Sequence, residues 1–479
     1  MYAIRQLQLA TVAILLSRPT AAATAQDALP TLADVTPRGI VVSRVQSRSD
    51  PKATYAVYLP AAFTRDRRWP VVFLMDPRGR ALIPVELFQP IAERLGYVLV
   101  SSYDTRSDGA RDPNDRALDA MLADVQRYLA PDAHRLYLAG FSGTARFAWD
   151  VSAQLTGSLA GILGFGAGTP GERQWIVEHV RGTPFDYYGA VGNRDPNYAE
   201  LRQLQRDLAE MRYPARIEVF DGPHRWPPAD LCARALTWMH MRAMQRGLLP
   251  ADVAWLDSLA TERLAESDSR AGTDDLLRLR LLRDWLSDFG SGRDTTAVAT
   301  RVAQLAGAAS VRYATRIEAE WDARERAWMR GFFDFAFALR TSKPELTVGE
   351  GKRLSHAGEL ARLAAGKRDS VAAVAARRAI NRIVVYSTFY EFREYEISRR
   401  WEQARTLLKV AEDVAPGDAS VCFALARAEA QLARHREALD HLDCAVSGGE
   451  VSRVSLADPL LAPLRDDPRF GEIVSRLSR

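Results

Sequence analysis

The residues best suited to chemistry lie in one stretch, residues 136–147, which reads LYLAGFSGTARF. A short apolar run stops at Gly140, turns at Ser142, leaves through Gly143 and continues with helical character. This pattern predicts a serine held on a tight turn between a strand and a helix, with its hydroxyl exposed above a sheet edge. The free N–H groups at the start of the helix would stabilise a negative charge that develops there. The chemistry expected is nucleophilic attack by serine.

One position departs from the full Gly-x-Ser-x-Gly pattern, because residue 144 is Thr rather than Gly. An ordinary turn in which Ser142 is the N-cap of the next helix fits the same letters. A serine hydroxyl is a poor nucleophile until a base takes its proton, and the base needs an acid to orient it. The choice therefore depends on the rest of the chain.

Four of the seven histidines lie in the half of the chain that is rich in strand patterns. His134 precedes the strand that carries Ser142, at its amino end, and His179 and His240 lie in helical patterns. His224 lies in FDGPHRWP, directly after the last predicted strand, where glycine and proline fix the loop. We predict His224 as the general base; the alternative is a solvated loop histidine.

The acid predicted to orient His224 is Asp195, in the stretch GNRDPNY that follows the preceding strand. From a strand end it could reach one ring nitrogen and leave the other free to accept a proton. The alternative is that Asp195 only caps the helix that follows. We favour it over Asp186, which precedes the apolar core of its strand, and over Asp221, which is too near His224 in sequence.

The framework for these residues is an alternation of strand and helix patterns over residues 39–244. Residues 70–75 form a continuous apolar run, as expected of a strand covered on both faces. Residues 118–129 repeat apolar side chains at helical spacing. Such alternation predicts an α/β fold, a mostly parallel sheet with helices on both faces and catalytic residues at the carboxyl ends of its strands.

The turn at Ser142, the order of the strands and the chain order Ser, Asp, His resemble the α/β-hydrolase fold. Further details resemble its secreted esterase branch, near the polyhydroxybutyrate depolymerases and feruloyl esterases. These details are YAVYLP before the oxyanion strand, Ala-Arg after the turn, and a Gly-x-His-x-Trp-Pro loop. The resemblance implies a carboxylic-ester hydrolase in which Ser142 is the nucleophile, Asp195 the acid and His224 the base.

The resemblance also implies an oxyanion hole. One donor would be the backbone N–H of Gly143, and the other normally comes from a His-Gly-rich loop, which here reads MDPRGR. Pro77 has no N–H, so the second donor is expected to be the backbone of Asp76 or Arg78. Loss of one such donor costs about 10²–10³ in rate. The side chains of Arg78 and Arg80 either bind a substrate carboxylate or only form the solvated rim, which we favour.

Beyond Gly247 the pattern is helical, with no convincing strand. Near the C-terminus, apolar positions recur at an offset of 34 residues, as Ala404, Leu408 and Ala411 and then Ala438, Leu442 and Ala445. This period resembles tetratricopeptide repeats, which implies a protein partner, and residues 459–477 are predicted to form a capping helix. Residues 250–379 are either degenerate repeats or a plain helical domain.

The first 25 residues resemble a bacterial secretory signal, with Arg5, an apolar run at 9–16 and Ala-Thr-Ala before Gln26. The run is too short to span a bilayer, and an N-terminal anchor helix is the alternative. We therefore expect a periplasmic or secreted protein. The segments predicted are a signal peptide at 1–25, a linker at 26–38, an α/β-hydrolase domain at 39–247, a helical region at 248–380, and repeats with a capping helix at 381–479.

Composition bounds the function classes. The 479 residues are 47% hydrophobic and 26% charged, which is typical of a globular chain of two or three domains. The net charge is only +4 and the arginines are scattered, so nucleic acid is not an expected partner. Of the three cysteines, at most Cys422 and Cys444 could pair, and burial as small apolar side chains is favoured. No metal-ligand spacing or phosphate loop is visible, so no cofactor or metal is expected.

The sequence thus predicts an exported serine hydrolase that cleaves small or polymeric esters through an acyl-enzyme, with a helical tail for protein interaction and no stable membrane span. The alternative is an interaction protein whose hydrolase scaffold is catalytically degenerate, a hypothesis motivated by Thr144 and the Asp-Pro-Arg loop. Cleavage of peptides or thioesters by the same residues is a third possibility.

Overall fold

The structure is a computed structural model that describes residues 29–35, 37–107, 109–155, 157–169, 173–180, 185–341, 346–367, 370–449 and 451–477. The predicted signal peptide lies outside the described residues. None of the helices within these ranges combines the length and the apolar character that crossing a bilayer requires.

Eight strands form one sheet in the order β1-β2-β4-β3-β5-β6-β7-β8. Their bounds are Val41–Gln46 (β1), Thr54–Tyr58 (β2), Trp69–Met75 (β3), Val98–Ser102 (β4), Pro131–Phe141 (β5), Gly161–Phe165 (β6), Asp186–Gly192 (β7) and Ala215–Phe220 (β8). Strand β2 runs antiparallel to β1 and β4, and every other pair is parallel. This mostly parallel sheet, with helices on both faces, is the α/β-hydrolase fold that the sequence predicts.

Six helices cover the sheet: Leu82–Leu95 (α1), Asp112–Tyr128 (α2), Gly143–Gln154 (α3), Arg173–Val180 (α4), Tyr198–Glu210 (α5) and Ala229–Gln245 (α6). Side chains alternate along β3, so Val71 and Phe73 enter one apolar core while Val72 and Leu74 enter the other. All seven residues of β3 are buried, as its continuous apolar run predicts. The strand that leads to the oxyanion loop is therefore fixed from both sides.

The chain continues through helices only, within the described residues. Their bounds are Val253–Ala271 (α7), Asp275–Phe289 (α8), Thr296–Gly307 (α9), Ala309–Thr341 (α10), Val348–Leu354 (α11), Ala357–Ala364 (α12), Val371–Val385 (α13), Glu391–Ser398 (α14), Trp401–Val414 (α15), Ala419–Gln431 (α16), His435–Ser447 (α17), Arg453–Leu456 (α18) and Pro468–Arg476 (α19). A π-helix, Tyr386–Tyr390, continues α13 into α14, and a 3₁₀-helix spans Pro459–Leu464.

Packing crosses both ends of the predicted hydrolase domain. Leu32 and Val35, in the predicted linker, are buried in one core of the sheet. At the other end, Leu259, Leu282 and Trp285 of α7 and α8 belong to the second core of the sheet. Helices α7 to α9 are thus packed as part of the sheet's covering layer, because an apolar face of the sheet needs an apolar partner.

Helices α10 to α16 enclose a separate apolar core around Phe332, Leu360 and Leu408. The residues of the 34-residue period are all buried, at equivalent places on α15 and α17. The segment predicted as a single capping helix is two pieces, the 3₁₀-helix and α19, with Pro468 at the start of the second. The tetratricopeptide assignment stays a prediction.

Helices α16 and α17 are joined by a disulfide between Cys422 and Cys444, whose Cα atoms lie 5.9 Å apart. The expectation that these two cysteines are only small buried side chains is therefore wrong. Antiparallel packing of the two helices brings them within bridging distance, which the sequence allowed but did not favour. Cys232 is free and buried on α6.

Candidate active site

Ser142 occupies the sharp turn between β5 and α3. Its backbone has φ 55° and ψ −129°, a conformation that non-glycine residues rarely adopt. The turn closes tightly, since a Cβ added to Gly140 would lie 2.4 Å from the carbonyl oxygen of Thr144. The Ser142 N–H donates to the carbonyl of Phe165 at 2.8 Å, which ties the turn to β6. The strained serine is therefore held by its surroundings.

Thr144, the departure from the family pattern, has a structural role. Its side chain is buried, and its hydroxyl lies 2.6 Å from the carbonyl oxygen of Met75 at the end of β3. The Oγ1 of Thr144 also accepts the N–H of Phe141 at 3.0 Å. Threonine here anchors the turn to the neighbouring strand, and it leaves the hydroxyl of Ser142 unobstructed.

His224 lies in the loop after β8, with its ring directed at the turn. Its Nε2 is 2.9 Å from the Oγ of Ser142. The ring packs against Phe141 with centroids 4.5 Å apart. A Cβ on Gly166 would approach the ring's Cε1 to 3.2 Å, so the glycine leaves room for the imidazole.

Asp195 completes the arrangement from the loop after β7. Its Oδ2 is 2.7 Å from Nδ1 of His224, and its side chain is fully buried. Its other oxygen accepts the backbone N–H of Asn197 at 2.8 Å. A buried carboxylate on Nδ1 favours the tautomer in which Nε2 can accept a proton from a serine. The structure thus brings together the three residues predicted from sequence.

The loops that carry the acid and the base are bonded to each other. The N–H of Asn193 donates to the carbonyl of Phe220 at 2.8 Å, and that of Arg194 to the carbonyl of Gly222 at 3.0 Å. A Cβ on Gly192 would lie 2.3 Å from the carbonyl oxygen of Gly222, so the two backbones pass in close contact. This contact fixes the distance between Asp195 and His224.

The carboxylates and imidazoles that were set aside lie elsewhere. Asp186, at the opposite end of β7, binds Arg242 and Arg246 at 2.9 and 3.0 Å. Asp221 is exposed and pairs with Arg194. His134 is exposed on β5. The side chain of His179 lies outside the described residues.

His240, on α6, is packed away from the site. Its Nδ1 lies 3.2 Å from the hydroxyl of Tyr97, and its ring meets Trp255 of α7 edge-on. Burial, with a smaller contribution from the charge of Arg135, lowers the pKa of His240 to about 4. This imidazole is therefore neutral near pH 7. It packs between Tyr97, directly before β4, and Trp255 of α7.

Asp76 is a buried junction beside the site. One carboxylate oxygen accepts the N–H of Arg78 at 2.9 Å, and the guanidinium of Arg80 binds both oxygens at 2.9 Å. The indole N–H of Trp226 donates to Oδ2 at 2.8 Å. Burial raises the pKa of Asp76, but the hydrogen bonds from Arg80, Trp226 and the Arg78 N–H outweigh it and hold that pKa below its usual range. The oxyanion loop is thereby tied to the loop of His224.

The backbone N–H groups predicted as oxyanion donors differ in whether they are already hydrogen-bonded. Gly143 is the first residue of α3, directly after Ser142. The N–H of Arg78 is engaged by Asp76, so it would have to turn to reach a substrate oxygen. Ser107 lines the cleft, and a Cβ on Gly143 would lie 2.2 Å from its Oγ. Ser107 was not predicted from the sequence, because no motif surrounds it.

The cleft above Ser142 has a volume of about 850 Å³ and is built by two regions of the chain. The α/β domain contributes Ser142, His224 and the loop of Pro77, Arg78 and Arg80. The helical region contributes Val385, Thr388, Phe389, Tyr390 and Ser420, three of which lie on the π-helix. π-helical turns are frequent at functional sites. This wall was not predicted from the sequence.

Helix α13 also contacts the loop that carries Asp195. Arg378 donates to the carbonyl of Asn193 at 3.1 Å, and Asn381 donates to the carbonyl of Arg194 at 2.8 Å. The Arg378 guanidinium lies 4.0 Å from the ring centroid of Tyr198. It also forms a buried ion pair with Glu325 of α10. The helical region is thus bonded to the residues on either side of the acid's position.

Among the described residues, no cluster of three or more His, Cys, Asp or Glu side chains is arranged to hold a metal ion. The polar side chains that line the cleft are those of serine, threonine, asparagine, tyrosine, tryptophan, histidine and arginine.

No family model and no curated protein matches the chain. Solved structures do. A feruloyl esterase module from Clostridium thermocellum, solved with sinapinate, is 14% identical over 44% of this chain and 91% of its own, with a TM-score of 0.36. The fluorophosphonate-binding serine hydrolase FphF of Staphylococcus aureus is 14% identical over 42% of this chain and 97% of its own, with a TM-score of 0.34. An S-formylglutathione hydrolase of the same organism is 14% identical over 42% of this chain and 97% of its own, with a TM-score of 0.33.

Proposed function

We propose that the chain is a serine hydrolase that cleaves carboxylic esters through an acyl-enzyme. The observation that carries the proposal is the continuous hydrogen-bonded series from Asp195 through His224 to Ser142, with contacts of 2.7 and 2.9 Å. Each contact is within the range in which a base can take a proton from a positioned hydroxyl. The strained turn at Ser142 supports the same reading, since strain of this kind accumulates at functional sites.

In the proposed reaction, Oγ of Ser142 attacks the ester carbonyl while Nε2 of His224 takes its proton. The imidazolium then gives that proton to the leaving alcohol, and the acyl group stays on the serine. Water then enters, loses a proton to His224 and attacks the acyl carbon. The bond between the acyl carbon and Oγ breaks, the imidazolium returns its proton to Oγ, and the acid leaves. Asp195 orients the ring and stabilises the imidazolium in both steps.

The oxyanion formed in each step needs donors. The N–H of Gly143 is the first that we propose, because it lies at the start of α3 directly after the nucleophile. For the second, the sequence indicates the backbone of Asp76 or Arg78. The Arg78 N–H becomes available only if it leaves the carboxylate of Asp76, on which it now lies at 2.9 Å.

That engaged N–H favours a second candidate function, in which the helical region binds a protein partner and the hydrolase scaffold is inactive. Pro77 cannot donate, and an incomplete oxyanion hole would lower the rate by about 10²–10³. The hydrogen bonds from Asp195 to His224 and from His224 to Ser142 favour the first candidate function, the active hydrolase.

We also propose export of the protein. The predicted signal peptide is one reason, and the disulfide between Cys422 and Cys444 is an independent one. Disulfides persist in secreted and periplasmic proteins and are rare in the reducing cytosol. Localisation of the full chain in cell fractions, together with the N-terminal sequence of the mature form, tests this.

The activity is tested on the full-length protein with a fluorophosphonate probe and with 4-nitrophenyl acetate. We expect labelling and hydrolysis by the wild type, and neither by Ser142→Ala. Ser158→Ala, a change on a loop outside the cleft, is the matched control and should behave as wild type. Absence of labelling in protein with a native circular dichroism spectrum would overturn the hydrolase proposal and support the inactive scaffold.

A further inference from the structure

The charges in the cleft are one-sided. Arg78, Arg80 and Arg225 line it, and no Asp or Glu is among its lining residues in the described part of the chain. Arg80 is neutralised by the bidentate contact with Asp76. Within the described residues, Arg78 and Arg225 have neither an ion-pair partner nor a side-chain hydrogen bond.

These two residues differ from arginines just outside the cleft. Arg146 is paired with Glu200 at 2.7 Å, and Arg194 is paired with Asp221. In both of these neighbours a carboxylate partner binds the guanidinium. The guanidinium groups of Arg78 and Arg225 are therefore available to bind an anionic group of a molecule in the cleft.

Two such charges in a concave site raise the local concentration of anions, because low-dielectric walls focus their field. The planar guanidinium also matches the two oxygens of a carboxylate or a phosphate. The other lining groups are apolar and aromatic, among them Leu87, Phe389 and Tyr390. The cleft therefore suits a molecule with an apolar body and an anionic end.

We propose that the substrate is an ester that carries an anionic group, such as a carboxylate, at a distance from the bond that is cleaved. Arg78 and Arg225 bind the anionic group, and the aromatic side chains of the π-helix contact the apolar body. This inference rests on the proposed ester hydrolase function and assigns its substrate class.

Matched pairs of esters that differ only in charge test the inference. On the acyl side the pair is 4-nitrophenyl hemiadipate and its methyl ester; on the alcohol side it is 4-acetoxybenzoate and its methyl ester. We expect the wild type to prefer the charged member of one pair by about tenfold or more in kcat/KM. The preference should fall as ionic strength rises, because salt screens exposed charges.

Arg78→Gln and Arg225→Gln should each lower the ratio of kcat/KM for the charged ester to kcat/KM for the neutral ester about tenfold. Arg326→Gln, on the exposed side of α10, is the matched control and should leave both unchanged. Equal rates on the charged and neutral members of both pairs would overturn the substrate inference alone. Failure to hydrolyse any ester, with no fluorophosphonate labelling, would overturn the hydrolase function and this inference with it.

A second inference rests on different contacts, the two hydrogen bonds from α13 to the loop of Asp195. We infer that Asn381 is a positioning residue: its amide holds the carbonyl of Arg194 at 2.8 Å and so fixes the backbone that presents the acid to His224. Small displacements of a catalytic group lower the rate steeply.

Asn381→Ala is expected to lower kcat about tenfold, with KM changed less than twofold, and to slow fluorophosphonate labelling to the same extent. Asn381→Gln, which keeps an amide donor, should recover most of the rate. Gln431→Ala, which removes an amide that donates to the carbonyl of Leu460 at 2.8 Å outside the cleft, is the matched control and should leave kcat and KM unchanged. Equal loss in the alanine and glutamine variants, or a change in KM alone, would contradict the positioning role.

Discussion

The two sides of the cleft are built in opposite ways. On the α/β side, backbones meet so closely that a Cβ on Gly140 or Gly192 would lie 2.4 or 2.3 Å from a carbonyl oxygen. On the helical side, the wall is a π-helix whose Phe389 and Tyr390 keep 45% and 38% of their surface exposed. The backbone of the α/β side thus has no room for a side chain at Gly140 or Gly192, whereas the helical side presents partly exposed aromatic side chains.

This difference separates two tasks. The proposed proton transfer from Ser142 to His224, with Asp195 orienting the ring, requires fixed distances, which close backbone contacts and buried hydrogen bonds provide. Contact with the remainder of a substrate needs apolar area and tolerates adjustment. We infer that the close contacts of the α/β side fix the reacting atoms, and that the π-helix of the helical side contacts the apolar part of the substrate. Three of four predictions test this division, and the pH prediction tests the packing of the sheet against α7.

The largest effect is expected from Asp195→Asn, which keeps the shape of the acid but removes its charge. An amide at this place can hold His224 in the tautomer that cannot accept the serine proton, so kcat should fall by about 10⁴. Steady-state kinetics with 4-nitrophenyl acetate measure it. Asp221→Asn, in the neighbouring loop, should stay within twofold, and a comparable loss there would show that the acid has been misassigned.

Gly140→Ala should come next. Its Cβ would lie 2.4 Å from the carbonyl oxygen of Thr144, so the turn must shift and carry Ser142 with it. A displacement of about 1 Å costs about 10² in rate, and we expect at least this loss in kcat. Gly307→Ala, where a Cβ has no neighbour within 4 Å, is the control. Unchanged kinetics of Gly140→Ala would show that the α/β side is less rigid than these contacts indicate.

A pH effect is expected where the sheet meets α7. The pKa of His240 is about 4 in the folded protein, below its ordinary value of 6.5, so the unfolded chain binds the proton more tightly. Its contribution to stability is complete above pH 6.5 and is lost as the pH falls towards 4, by about 2 kcal/mol between pH 7 and 5.

Urea unfolding at pH 7 and pH 5 measures this loss, and His240→Gln should reduce the difference between the two pH values by that amount. His134→Gln, which replaces an exposed histidine, is the matched control and should leave the difference unchanged. The same pH dependence in the wild type and in His240→Gln would contradict the assignment to His240.

The smallest effect should come from the helical wall. Phe389→Ala removes apolar contact area without touching the serine, so KM should rise about tenfold and kcat should change less than twofold. Esters of increasing acyl length measure it, and the effect should grow with length. Phe337→Ala, which replaces an exposed aromatic ring on α10, is the control. A fall in kcat with KM unchanged would mean that the wall takes part in the reaction step.

The sequence predicts the sheet, and it also predicts the three residues that the structure brings together, because both depend on local patterns. The apolar run of β3 and the glycines around Ser142 each predict a conformation from a few neighbouring residues. His224 lies in a loop whose prolines restrict its backbone. No short sequence pattern predicts which distant segments of the chain come into contact. The helical wall, the place of Ser107 and the disulfide all depend on such contacts. The same reason explains Leu32 and Trp285, which lie outside the predicted domain bounds but inside the cores of the sheet.

The place of Trp285 has a practical consequence. Its ring packs in the second core of the sheet, and its indole N–H donates to the carbonyl of Ala260 at 2.8 Å. A protein cut after residue 247 would bare that apolar surface to water and invite aggregation. The α/β domain is therefore best expressed and engineered together with α7 to α9, whose apolar side chains complete its second core.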